Sequence, residues 1–211
     1  MKYTQVPTDT FDNIQLNAGV LLSEFDPSTA TVDRSKIIAA TSGGVQFTAT
    51  PTYSDYGEDI DNMPTNTKEL KRLDYWEAKL SGTGITVDAE FTKTLLAAAD
   101  NTDGHVVPRV DLAQTDFVDI WWVGDYSSVN NDGAAQSGEE AGFFAVKVKN
   151  ALSTGGFQLQ SANKGKGQFS FEFTGHYSMA NTDEVPFEIY VRQGTSGSTG
   201  GSTGGSTGTG N

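Results

Sequence analysis

The chain has no cysteine and only two histidines among its 211 residues. Without cysteine there can be no disulfide, no thiolate nucleophile and no Cys-ligated zinc. His105 and His176 alone cannot build a histidine-rich metal site. No run of about 18 apolar residues occurs, so nothing reads as a membrane-spanning helix. The opening residues, MKYTQVPTDT, lack the apolar stretch of a secretory signal. The expectation is a soluble protein that has no dealings with a membrane. Positive charge is scarce as well: 14 Lys and Arg stand against 27 Asp and Glu, a net charge of −13. Such a chain is repelled by phosphate backbones and anionic surfaces, which disfavours a conventional nucleic-acid binder. The basic clusters Lys147–Lys149 and Lys164–Lys166 are too small to offset that.

What the chain does have is aromatic area. Its 12 Phe, 7 Tyr and 3 Trp can fill a sizeable core. A single β-rich domain over residues 1–193 is the natural reading at this length. From Gly194 to Asn211 the composition changes to Gly, Ser and Thr, apart from the last residue. No side chain there can bury apolar area, so a flexible tail is predicted, whether native or appended.

The organising stretch is Gly44–Leu80. Val45, Phe47 and Ala49 alternate with Gln46, Thr48 and Thr50, the period of a half-buried strand. Pro51, which has no backbone donor, is expected to end that ladder. Alternation resumes at Tyr75–Leu80, with Trp76, Ala78 and Leu80 on one face and Glu77 and Lys79 on the other. Hairpin loops usually run about 2–5 residues, and the insertion Thr52–Leu73 is far longer. Its Tyr53, Tyr56, Ile60, Met63 and Leu70 need something to pack against. Asp55, Glu58, Asp59 and Asp61 fill its front half, and Lys68, Lys71 and Arg72 its back half. Such a loop can pair with itself, or place one half against the other half in an identical neighbour. The latter is a head-to-tail contact that generates rings or filaments. Charge alone does not choose between the two.

Elsewhere the pattern is mostly strand. Residues 1–13 read as an extended arm, and Ile14–Leu22 as a first strand. Phe25–Ser35 is a loop turning at Asp26-Pro27, and Ile37–Ala40 begins the approach to Gly43-Gly44. Ser81–Gly84 reads as a tight turn and Ile85–Val87 as a strand end. The period then changes: Asp88 caps a helix over 88–100, with Phe91, Leu95 and Ala98–Ala99 at helical spacing. Val106–Val110, Phe117–Val123, Phe143–Ala151, Phe157–Gln160, Gln168–Gly175 and Phe187–Arg192 read as strands, with a polar loop over Ser127–Gly142. Trp121 and Trp122 are adjacent, so a strand must point them to opposite faces. One joins the core, and the other is an interface anchor or is covered by a loop or the helix.

Chemistry is sparse. The matches to G-x-S-x-G at Gly200–Gly204 and Gly204–Gly208 have neither the preceding strand nor the following helix of a nucleophile elbow. Aligning an EF-hand on Asp103-Gly104 puts Ala99 first and Val110 twelfth, so it fails. The carboxylates of Asp55–Asp61 lack the spacing but leave an irregular calcium site open. No carboxylate pair stands out for glycoside hydrolysis. Neither an enzyme nor a cofactor is expected.

Taken together, the GG-hydrophobic strand, the DYGEDIDNMP segment, the NTKELKR segment and the Trp-containing return strand resemble the major tail tube proteins of long-tailed bacteriophages. The resemblance covers roughly residues 1–193 and is densest in Gly43–Gly82. It is one of strands, loop and charge, without a short diagnostic motif. It implies an all-β fold with one flanking α-helix: a β-sandwich of two roughly orthogonal sheets, its inner barrel completed by ring formation. It further implies a non-enzymatic virion protein, held in the host cytoplasm before assembly, that forms stacked hexameric rings conducting DNA without binding it. The partners implied are further copies of itself, and tape measure, tail terminator and distal tail proteins. The loop over 52–73 would then carry assembly. Two other classes fit the composition: a calcium- or carbohydrate-binding β-sandwich module, or another virion component such as a capsid decoration or tail terminator protein.

Overall fold

A computed structural model describes residues 6, 14–126 and 142–193 of the chain. Among them lie β1 (Gln15–Leu22), β2 (Ile37–Ala39), β3 (Thr41–Asp55), β4 (Lys71–Gly84), α1 (Ala89–Leu96), β5 (Ala99–Thr102) and β6 (His105–Pro108). The second half contributes β7 (Val118–Tyr126), β8 (Phe143–Ser153), β9 (Gln158–Gln160), β10 (Gln168–Thr174) and β11 (Phe187–Arg192). Among the described residues the fold is all-β with one α-helix. Nine strands form an antiparallel sheet in the order β2-β1-β7-β8-β10-β4-β3, with β11 against β8 and β9 against β10. A separate hairpin, β5–β6, stands beside the helix.

Strand β8 changes partners. Residues 143–148 pair with β11, while Leu152 and Ser153 pair with β10. Between them β8 carries one residue more than β7, which pairs Ile120 with Val148 and Val118 with Ala151. Asn150 takes the left-handed conformation there, at φ 47°. The bulge turns the strand over by one residue, so Val146, Val148 and Ala151 all reach the same core. That core also holds Leu21, Leu80, Phe91, Leu95, Ile120, Phe169, Phe171 and Phe173. A smaller cluster, built on Leu22, Phe25, Trp121, Val123, Phe143 and Ala145, lies apart from it.

Four local expectations need correction. The helix ends at Leu96, well short of 100, because Ala97 takes a positive φ of 61°, the Ala98 amide donating to the Leu96 carbonyl across it, and Ala99–Thr102 pairs instead with β6. Asp103-Gly104, at φ 50° and 86°, is the two-residue turn of that hairpin. The cap itself is as expected, Asp88 accepting from the Phe91 amide at 2.7 Å. Ser81–Gly84 is no turn; it continues β4 between β3 and β10. Its glycines mark close ring packing: a Cβ on Gly82 would lie 2.7 Å from the Phe171 ring. Ile85–Val87 is outside the strands, although Ile85 still donates to the Ala40 carbonyl. Nor does Pro51 end its ladder: β3 runs on to Asp55 and pairs Pro51 with Trp76. The Trp76 amide points the other way, to the Tyr177 hydroxyl at 2.8 Å. Pro51 therefore turns its nitrogen to the open edge of β3, where no donor is required.

Candidate functional site

The long hairpin β3–β4 has two halves with different surroundings. Its inner half lies on the core, where β10 pairs with Lys79–Gly84 and Val45, Phe47 and Ala49 are half-buried as the alternation predicts. Past Trp76 and Pro51, β3 and β4 pair only with each other among the described residues. The outer half is thus a two-stranded ribbon extending roughly 15 Å at ~3.3 Å per residue, with residues 56–70 as its tip. Two-stranded ribbons are at best marginally stable alone.

A bulge sets which side chains the ribbon presents. Thr52 pairs with Tyr75 and Tyr53 with Leu73, leaving Asp74 as the extra residue. A one-residue slip exchanges the faces, so Leu73 joins Tyr53 on the face that continues Phe47 and Ala49. Asp74 is held there by the Ser54 hydroxyl. Tyr75 is left on the opposite face.

The tip is tied together by polar bonds. Asp55 accepts from the Gly57 amide at 2.9 Å and the Asn66 amide at 2.7 Å. These bonds hold its carboxyl below the usual aspartate range. Tyr56 donates its amide to the Leu70 carbonyl at 3.1 Å. Lys71 bonds Asn66 at 2.9 Å and lies over the Tyr53 ring. Gly57 is buried beneath Leu70 and Met63.

This is not charge pairing between the halves. Among the described residues, Glu58, Asp59, Asp61, Lys68 and Arg72 form no ion pair. Leu70 is half-buried, but Tyr53, Tyr56, Ile60 and Met63 are 52%, 58%, 44% and 39% exposed. The structure therefore brings all the expected loop residues onto one arm and leaves Tyr53, Tyr56, Ile60 and Met63 about half exposed. Compared with known proteins, the chain matches no family model and no curated protein.

Trp121 and Trp122 do point to opposite faces, yet neither is an exposed anchor in the folded chain. Trp121 is buried against Phe25 and Tyr190. Trp122 packs on the main core and donates its indole N–H to the Ala18 carbonyl at 2.9 Å. The cover over Trp122 is a bulge of β1 at Asn17–Gly19. Gly19 sits at φ 68°, and a Cβ there would meet the Val123 carbonyl at 2.5 Å and the Trp122 ring. Only glycine fits that position.

The Lys147–Lys149 pair is not a basic patch either. Lys147 pairs with Asp119 at 2.8 Å and lies over the Trp121 ring. Lys149 is buried and bridges Glu184 and Glu188, the latter also bonded by Tyr190. Burial pushes the Lys149 ammonium down, but its carboxylate partners more than offset this and raise it. Its bond to Lys149 and then that to Tyr190 hold Glu188 below the usual glutamate range.

His176 packs edge-on against Phe117 and contacts the Asn150 carbonyl at 3.1 Å, while His105 belongs to β6. Among the described residues no group of three or more acidic or histidine side chains could hold a metal, and no helix is long and apolar enough to cross a membrane. The stretches 1–5, 7–13, 127–141 and 194–211, which include most of the expected N-terminal arm, most of the polar loop and the whole tail, lie outside the described residues. Sequence reasoning missed Leu73, Tyr177 and Met179 as exposed apolar residues. Tyr75 was legible, since it falls on the Glu77–Lys79 face.

Proposed function

We propose that the chain is the major tail tube subunit of a long-tailed bacteriophage, assembling into stacked hexameric rings through which DNA is ejected. The single observation that carries this is the β3–β4 arm, which projects beyond the sheet with its tyrosine, isoleucine and methionine side chains uncovered. An isolated subunit would keep such a ribbon at a cost in solvated apolar area, and a neighbour removes it. Other features support the reading. The change of partners along β8, with the main core beside it, fits a β-sandwich of two sheets that share one strand. Among the described residues β3 and β11 each pair with a strand on one side only, which offers places to join the sheet of a next subunit. Acidity suits a conduit that must not hold a polyanion, and the Lys147 and Lys149 charges are already neutralised. On this reading the subunit is a structural protein of the virion, with no catalytic role.

Sedimentation velocity tests it directly. The purified protein is expected to form large, concentration-dependent species. The Lys68→Glu/Arg72→Glu variant, which disturbs no ion pair among the described residues, is expected to sediment as a folded monomer at the same concentrations. A wild-type protein that stays monomeric at all concentrations would contradict the proposal.

A further inference from the structure

Beside the root of the arm lies a cleft that self-assembly leaves unassigned. Tyr75, Trp76, Glu77, Gly175, His176 and Tyr177 line an opening of about 360 Å³. It exists because β10 ends at Thr174 and stops covering β4 at Lys79. The Gly175 amide makes one more bond, to the Ala78 carbonyl at 2.9 Å. The Tyr177 hydroxyl then takes the Trp76 amide at 2.8 Å. Between these bonds the segment is braced from behind. The Asn150 side chain donates to the His176 carbonyl at 3.1 Å, and the His176 ring packs edge-on against Phe117. The volume falls within the roughly 300–1,000 Å³ of small-molecule sites.

The lining selects the occupant. The bulge at Asp74 puts Tyr75 on the same face as Glu77, so a ring and a carboxylate border the cleft together. Tyr75 is 50% and Tyr177 38% exposed, and neither packs on another aromatic ring among the described residues. Hydrogen-bonding capacity is left over on both. The Tyr177 hydroxyl accepts from Trp76 and still has its own proton to donate, and the Tyr75 hydroxyl has no partner among the described residues. Glu77 engages Lys79 with one oxygen at 2.6 Å and leaves the other free. His176 Nδ1 lies 3.1 Å from the Asn150 carbonyl, which can only accept. Nδ1 is therefore the donor, and Nε2 of the neutral ring remains an acceptor.

Among the described residues no Lys or Arg lines the cleft, so a phosphate, sulfate or carboxylate finds no counter-charge there and meets Glu77 instead. A cation finds Glu77 already paired with Lys79. A wholly apolar ligand would bury the free hydroxyls and the carboxylate without partners. What satisfies the lining is a neutral molecule with apolar faces and a rim of hydroxyls that both donate and accept. Tyrosine suits it, with an apolar ring face and a polar tip. The cleft also opens along the edge of β4, which past Lys79 pairs only with β3 among the described residues, and this favours an extended ligand.

We propose that this cleft binds a neutral saccharide chain, its sugar rings stacked on Tyr75 and Tyr177 and its hydroxyls bonded to Glu77 and His176. The site is built from a single chain and does not depend on self-assembly.

The test applies the labelled full-length protein to a glycan array carrying neutral, sulfated and phosphorylated oligosaccharides, and then measures the best neutral ligand by calorimetry. Retention on neutral glycans is expected, with no preference for the anionic ones. Tyr75→Ala removes a half-exposed ring outside both cores, and is expected to weaken binding roughly tenfold with the melting temperature unchanged. Tyr75→Phe keeps the ring and is expected to lose less. Tyr53→Ala, which removes a ring exposed to the same degree on the arm, is expected to bind as the unmodified protein does. A protein retained by no neutral glycan, a preference for the anionic glycans, or binding indifferent to Tyr75→Ala overturns the proposal. None of these outcomes bears on the sedimentation experiment, so the site and the assembly reading fail separately.

Discussion

At the scale of single residues, the most consequential groups are those the composition could not assign. Lys149 looked like half of a small basic cluster. Folding buries it, and burial of an ammonium is tolerable only because Glu184 and Glu188 meet it. The pH dependence follows from the direction of each shift. Glu188 is lowered in the fold, so the stability it contributes is complete above its ordinary value of 4.5 and is lost as pH falls through the lowered one. Lys149 is raised, so its share is present below its ordinary 10.5 and is lost only above that. Thermal melting of the wild type and of Glu188→Gln is therefore expected to differ at neutral pH, and the two curves to converge in acid below about pH 4.5. Curves that stay parallel through that range would remove the Lys149–Glu188 pair from the account.

Among the elements, the helix shows how little of a short segment needs to be right for its packing to be legible. Asp88, Phe91 and Leu95 were readable from capping and spacing, and the structure places each as expected. The C-terminal end was not, because Ala97–Ala99 suits a helix by propensity and the competing β5–β6 hairpin won it. Asp103-Gly104, among the strongest short hairpin signals, lies just beyond and turns β5 into β6. Phe91 is 1% exposed and stacks edge-on with Phe171, so the helix is pinned chiefly through it and Leu95. Phe91→Ala is expected to cost about 3–5 kcal/mol in denaturant unfolding; a loss under 1 kcal/mol would mean that the helix is not part of the main core. The arm was legible in outline for a similar reason. Its uncompensated apolar residues and split charges were visible, but the bulge at Asp74 was not, since one extra residue leaves no mark on composition and only breaks the alternation. Pro51 misled because edge and central strands read alike until the sheet order is known.

For the whole molecule, the strand pattern conveyed an all-β protein with one helix, and the structure has that. The order of strands and the exchange of partners along β8 depend on pairings far apart in sequence, which local periodicity does not encode. The central claim is that this fold is an incomplete object, one whose open edges and projecting arm are finished by identical neighbours. Negative-stain electron microscopy of the purified protein, over a range of concentration and salt, bears on that claim most directly. The account predicts ring-shaped particles that stack into hollow tubes of uniform width. A field of monomers, or of closed particles that never lengthen into tubes, would contradict it.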